Sequence, residues 1–238
     1  MEEVCFGLPY AIGSAAIYYP IKQYIPNLQA LEYPGHGCRI AEPCCNTIQD
    51  LAKDAYDQIE ERLDKPYTIL GYSMGCLVAY ELYKLIKKNN VPKPLNIMLL
   101  ASDTPGAKRT NKNFASMSSD ELVNELKLLG GTDEAIFENE EIMDMLSPIT
   151  RADLTAIEQY KDNDPIVLDV PTLVMRGMQE DALDKSIEAW DHYLGQRSYK
   201  CLVPGEHFFL FRDVKQSMRA LRQARSCLRQ SQAVNSRI

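Results

Sequence analysis

No apolar run in the 238-residue chain reaches the roughly 18 residues of a membrane-spanning helix, and the acidic start Met1-Glu2-Glu3-Val4 lacks the basic flank of a secretion signal. Positive charge is also short. With 26 Lys and Arg against 33 Asp and Glu, the net charge of -7 argues against a nucleic-acid binder, whose footprint would be basic. The seven cysteines are an odd number with no C-x-x-C pair, which argues against a zinc site or a disulfide framework and for free thiols in a reducing cytosol. The expectation is a soluble, cytoplasmic protein that binds neither nucleic acid nor membrane. Histidine is scarce as well, at three residues, so few side chains can serve as a neutral-pH base. Against these absences stand 45% hydrophobic and 25% charged residues, enough for one globular domain with a sizeable core.

Short apolar runs recur at Val4 to Leu8, Leu28 to Tyr33, Tyr67 to Leu70, Ile97 to Ala101, Thr172 to Arg176 and Tyr199 to Val203. They read as buried parallel strands. Amphipathic stretches between them, such as Asp50 to Leu63 and Leu77 to Lys88, read as crossover helices, and the alternation predicts an α/β fold with a mostly parallel central sheet. Residues 104–165 break the pattern. They carry no strand signal but helical patterns at Ser119 to Leu129, Thr132 to Phe137, Glu140 to Leu146 and Ala152 to Lys161. The expected organisation is a core of residues 1–103 and 166–238 with residues 104–165 inserted as a helical lid, the simpler alternative being a purely structural cap.

Gly71-Tyr72-Ser73-Met74-Gly75 lies between an apolar strand and the helical run from Cys76 to Tyr80. This is a G-x-S-x-G nucleophile elbow in the strand-turn-helix setting that exposes the serine at a sheet edge, so Ser73 is the candidate nucleophile of a serine hydrolase. Among the histidines, His207 follows the last strand, where α/β-hydrolases place the base in the chain order Ser, acid, His. His192 falls in a helical pattern and reads as surface; His36 is a rival in the loop Tyr33-Pro34-Gly35-His36-Gly37, but it precedes the serine. The acid should follow the strand Thr172 to Arg176, and Asp181 is the expected choice. Asp103, after the strand Ile97 to Ala101, is the main alternative; Glu180 and Asp184 are further ones. An oxyanion hole would combine the Met74 N–H with one from the loop Leu8-Pro9-Tyr10-Ala11-Ile12-Gly13-Ser14, where Ala11 is the expected donor.

These residues resemble the type II, stand-alone editing thioesterases of nonribosomal peptide and polyketide synthesis, members of the α/β-hydrolase superfamily. The likeness runs nearly end to end: Leu8-Pro9-Tyr10-Ala11-Ile12-Gly13-Ser14-Ala15, then Tyr33-Pro34-Gly35-His36-Gly37-Cys38-Arg39-Ile40-Ala41-Glu42-Pro43, then Leu128-Leu129-Gly130-Gly131-Thr132 and Pro148-Ile149-Thr150-Arg151-Ala152-Asp153, and finally Gly205-Glu206-His207-Phe208-Phe209. The resemblance implies hydrolysis of aberrant or stalled acyl groups from the phosphopantetheine arm of a carrier protein, with no cofactor beyond that arm on the substrate. By the family's spacing the acid falls on Asp181. Ile12 stands where the family usually has Gly, which implies a stiffer or narrower oxyanion loop. His36 replaces a common Arg, and Asp103 occupies a position that is usually small or neutral.

Two other readings stay open: a carboxylesterase or acyltransferase acting on small free esters, and a non-catalytic subunit that binds a synthase. A monomer is expected. Near the C-terminus Arg212, Lys215, Arg219, Arg222, Arg225 and Arg229 outnumber Asp213. The simpler reading is a solvated basic face, the functional one electrostatic steering of an acidic carrier protein.

Overall fold

Along β3 (Tyr67–Tyr72) the side chains of Tyr67 and Ile69 enter one hydrophobic cluster while Leu70 and Tyr72 enter another. The same alternation divides Ile97 and Leu99 from Met98 and Leu100 on β4 (Asn96–Leu100), because a strand sends successive side chains to opposite faces. Both faces of the sheet are therefore covered. In this computed structural model, which describes residues 3–131, 134–181 and 186–235, β1 (Val4–Leu8), β2 (Leu28–Ala30), β5 (Thr172–Gly177) and β6 (Ser198–Val203) complete a six-stranded sheet in the order β2-β1-β3-β4-β5-β6. Every pairing is parallel.

One face is covered by α2 (Ile48–Ile59) and α3 (Met74–Lys88), which contribute Ile48, Leu51, Leu77 and Tyr80. The other is covered by α1 (Tyr19–Lys22) and α8 (Val214–Asn235), through Ile21, Met218, Leu221 and Leu228. Between β1 and β3 the strand order reverses, since β2 lies outside β1. That crevice at the carboxyl ends of the strands is where folds of this class bind ligands.

Between β4 and β5 the chain is helical: α4 (Ser119–Leu129), α5 (Glu134–Phe137) and α6 (Glu140–Gln159). A capping box at Ser118 and Glu121 starts α4. The two separate patterns expected at Glu140 to Leu146 and Ala152 to Lys161 are one continuous helix with Pro148 inside it. Proline removes one amide donor and normally breaks a helix. Here the helix runs on past it, and the Thr150 hydroxyl donates to the Leu146 carbonyl at 2.8 Å. The C-terminal end of α6 is tied to α3: the Tyr160 hydroxyl donates to Glu81 at 2.6 Å, and Lys84 meets Asp162 at 2.6 Å.

The basic stretch near the C-terminus is partly committed within the chain. Arg212 ends the short α7 (Phe209–Arg212) and lies 3.4 Å from Glu206, Arg222 stacks over Tyr24, and Arg225 is 3.6 Å from Glu3.

A side chain at Gly75 would collide with the end of β1, its Cβ falling on the Leu8 carbonyl oxygen and within 2.7 Å of the Pro9 oxygen. Gly75→Ala is expected to cost about 3 kcal/mol through overpacking against backbone that cannot move aside. Chemical denaturation measures this; an unchanged midpoint would contradict the close approach.

Candidate active site

Strand β3 ends where Ser73 takes φ 52° and ψ -118°, outside the regions that a non-glycine residue ordinarily occupies. The turn is held from both sides. Ser73 N–H donates to the Leu100 carbonyl at 2.8 Å, and the Ser73 carbonyl accepts from Cys76 N–H at 2.8 Å. Gly71 makes the turn sterically possible, since a Cβ there would lie 2.5 Å from the Gly75 oxygen. The strained turn lifts the serine side chain clear of the sheet at the first turn of α3.

His207 follows β6 and reaches back over the elbow. Its Nε2 lies 2.9 Å from Ser73 Oγ and its Nδ1 lies 2.6 Å from Glu180 Oε1. The ring sits edge-on to Phe208 and Tyr72, and the Tyr72 hydroxyl donates to the His207 backbone carbonyl, so the imidazole is packed on two sides. Glu180 is only 6% exposed, whereas His207 is 37% exposed, so the carboxylate is shielded and the base faces the open cavity.

The carboxylate against His207 is therefore Glu180 and not the expected Asp181. The cause is the turn after β5. Met178 N–H donates to Val203 and Gln179 N–H to Gly205, while the Gln179 side chain accepts from Gly205 N–H at 2.6 Å. These bonds lace residues 178 and 179 to the loop that carries His207. Glu180 N–H then bonds back to Gly177, and the Glu180 side chain turns inward, its second oxygen 3.3 Å from Gly177 N–H. Asp181, one residue on, is exposed on the cavity wall. The extra methylene of glutamate spans the distance from the laced turn that an aspartate one residue later would have to cover from outside. Asp103 also lines the cavity wall, but both ring nitrogens of His207 are already engaged by Ser73 and Glu180. Asp184 lies outside the described residues. His192 is exposed, as its pattern suggested.

In the loop after β1, Gly13 N–H donates to the Tyr10 carbonyl, Ile12 N–H to Asp153 and Ala15 N–H to Glu32, and none of these bonds uses Ala11. The close approach of Gly75 to Leu8 and Pro9 sets this loop beside the start of α3, where Met74 is the first helical residue. His36, the rival base, is not at the nucleophile. It is buried against Asp153 on α6, with Nε2 3.0 Å from Asp153 Oδ2. Asp153 is the residue whose part in the site went unanticipated, although a carboxylate on the inward face of an amphipathic helix is a signal in itself.

A cavity of about 650 Å³ opens above Ser73 and His207. Leu77, Leu128, Leu154 and Phe208 give it apolar walls, and Arg109, Lys112 and Arg212 stand among its polar lining. Among the described residues no group of His, Cys, Asp and Glu is arranged to hold a metal ion, and no helix is long and apolar enough to cross a membrane.

A family model described as "Thioesterase domain" matches residues 4–224. The chain belongs to the thioesterase family. This thioesterase is 27% identical over 212 residues to the gramicidin S biosynthesis protein GrsT of Aneurinibacillus migulanus, covering 87% of this chain and 82% of that relative. Among solved structures it is similar to ClbQ from the colibactin NRPS/PKS pathway, with a TM-score of 0.86, 26% identity and coverage of 96% of this chain and 99% of that one. It is likewise similar to the type II thioesterase BorB from the borrelidin biosynthetic cluster, with a TM-score of 0.79, 29% identity and 92% of each chain covered. The thioesterase is thus an α/β-hydrolase-fold enzyme.

Glu180→Gln is expected to lower kcat by about 10²- to 10⁴-fold with KM little changed, because an amide cannot hold the imidazole tautomer or stabilise its charged form. Asp181→Asn should stay within about twofold of the parent. Steady-state kinetics on a thioester separates the two; a loss confined to Asp181→Asn, with Glu180→Gln near the parent, would return the acid to Asp181.

Proposed function

We propose that the chain is an editing thioesterase that clears aberrant or stalled acyl groups from the phosphopantetheine arm of carrier proteins in nonribosomal peptide or polyketide synthesis. The observation that carries the reading is the unbroken line from Glu180 through His207 to Ser73, at 2.6 and 2.9 Å, under a cavity large enough for an acyl chain. Family membership supplies the reaction class. The relatives' own names, which refer to gramicidin S, colibactin and borrelidin, supply the biosynthetic setting.

In this reading His207 Nε2 takes the Ser73 hydroxyl proton as Oγ attacks the thioester carbonyl. The tetrahedral oxyanion rests on the Ala11 and Met74 amides, aided by the positive end of α3. Collapse expels the pantetheine sulfur, which receives the proton from His207. Water then enters, His207 takes its proton, and attack on the acyl-serine releases the acid and restores Ser73. Glu180 holds Nδ1–H throughout and stabilises the transient imidazolium. A thiol is a good leaving group, so the chemistry calls for no metal or redox cofactor. Residues 104–165 act as the lid that bounds the acyl cavity, through Leu128 and Leu154. The enzyme works as a cytoplasmic monomer and meets its carrier domains transiently.

Mass-spectrometric release of acetyl, malonyl and aminoacyl groups from phosphopantetheinylated carrier proteins tests the proposal, with Ser73→Ala and the matching N-acetylcysteamine thioesters alongside. Release that requires Ser73 and is at least about tenfold more efficient from the carrier than from the small thioester is the expected outcome. Hydrolysis of free esters with no release from any carrier would leave a small-molecule esterase. No turnover, with no labelling of Ser73 by a fluorophosphonate, would leave a binding subunit.

A further inference from the structure

Ile12 occupies the left-handed region at φ 70°, a costly conformation for a β-branched residue. One bond visibly opposes its relaxation: Ile12 N–H donates to Asp153 Oδ2 at 2.6 Å. A flip of the Ala11–Ile12 peptide would carry the Ile12 φ by about half a turn into the ordinary extended region and break that bond. It would also reverse the Ala11 carbonyl, which adjoins the Ala11 N–H of the preceding peptide, and so alter the dipole field at that N–H. Asp153 is completely buried on α6, and the same Oδ2 receives His36 Nε2 at 3.0 Å.

His36 is itself buried, and its other nitrogen, Nδ1, lies 3.0 Å from the Pro34 carbonyl. A carbonyl can only accept, so Nδ1 carries a proton. Nε2 faces a carboxylate oxygen that already accepts from Ile12, so it carries one too, and the ring is an imidazolium. Burial opposes that charge, but the Asp153 hydrogen bond and charge, the Pro34 carbonyl and the charge of Glu32 together hold His36 above its ordinary value. The other groups facing the pair are Glu32, whose carboxylate accepts from Ala15 and Cys38 N–H, Tyr33, whose ring lies 5.7 Å from His36, and Cys44. Burial pushes the Tyr33 hydroxyl and the Cys44 thiol up, which favours their neutral forms.

We propose that the buried His36–Asp153 pair is a positioning device for the oxyanion loop, in which Asp153 clamps the Ala11–Ile12 peptide in its strained form and the charged His36 keeps Asp153 in place. When His36 loses its proton, a lone pair on Nε2 faces the carboxylate and the clamp is repelled. Asp153 also shares α6 with Leu154 and Ile157, which line the acyl cavity, so the clamp couples the lid helix to the oxyanion loop. The inference rests on the reading of Ala11 N–H as an oxyanion donor.

The sign of the pH effect follows. The pair's contribution is fully present below the ordinary histidine value of about 6.5 and is lost as pH rises through the raised value in the fold. Activity therefore has an alkaline limb belonging to His36.

The test is kcat and KM for an N-acetylcysteamine thioester from pH 6 to pH 10, corrected for uncatalysed hydrolysis with Ser73→Ala, in the parent, His36→Arg, Asp153→Ala, Ile12→Gly and the Ile12→Gly/Asp153→Ala double variant. The parent should lose kcat on the alkaline side while His36→Arg, whose cation does not titrate there, stays flat. Asp153→Ala should lose about 10- to 100-fold in kcat with KM within about threefold, since the oxyanion forms only in the transition state. Glycine bears a positive φ without cost, so the double variant should recover at least about fivefold of that loss. An alkaline limb that is missing in the parent or persists in His36→Arg overturns the proposal, as does a double variant no better than Asp153→Ala. Should Asp153→Ala fail to fold by thermal melting, the comparison of the parent with His36→Arg decides alone. Full turnover by Ser73→Ala would instead sink the reading of the site, and the clamp's catalytic role with it.

Discussion

Everything at the active edge depends on how closely the end of β1 approaches the start of α3. The Leu8 and Pro9 carbonyls lie where a side chain on residue 75 would have to be, so the two backbones are in direct contact. That contact sets the loop after β1 beside the first turn of α3. It places the candidate donors of an oxyanion hole, on segments 63 residues apart in sequence (Ala11 and Met74), next to a serine whose own strained turn is held by β4. A glycine at 75 and a strained Ser73 are two sides of one constraint.

The second set of constraints is polar and buried. The helical segment between β4 and β5 has a small cluster of its own, Phe114, Leu122 and Leu154, and adds Ala156 and Tyr160 to the cluster on one face of the sheet. Paired polar groups attach it as well. Tyr160 and Asp162, just beyond α6, meet Glu81 and Lys84 of α3, while Asp153 within α6 meets His36 and Ile12. Such pairs contribute less to stability than apolar contacts of the same size, but removing one partner leaves a buried charge or dipole uncompensated, so they specify one seating of the helix. Arg39 does comparable work nearby, its guanidinium bridging both oxygens of Asp54 and of Glu42 and also donating to the Glu32 carbonyl. In the conspicuous string from Tyr33 to Pro43, Arg39 and His36 are thus engaged with carboxylates of the surrounding elements.

How far the chain could be read in advance depended on the range of the interaction involved. All six strands were legible as short apolar runs bounded by polar residues, a local property of composition, although the edge strands β2 and β6 are only partly buried. Ser73 was legible because the elbow needs glycines at fixed offsets, and His207 because it follows the last strand. The patterns at Glu140 to Leu146 and Ala152 to Lys161 read as separate, whereas the structure joins them in one helix with Pro148 inside it. The carboxylate that meets His207 lies one residue before the expected one: Glu180 and Asp181 are adjacent carboxylates in a loop, and nothing local to them says which turns inward.

By itself, then, the sequence determined the sheet, its helical crossovers and the candidates for nucleophile and base, because each follows from periodicity or from a motif whose sterics are contained in a few consecutive residues. Only the tertiary structure decided that Glu180 meets His207, through bonds that lace the turn after β5 to the loop after β6. It likewise decided that His36 belongs with Asp153, 117 residues away, and that Ile12 is held where glycine would be at ease. Those outcomes are set by which backbone atoms approach one another across the fold, and no stretch of the chain carries that information alone.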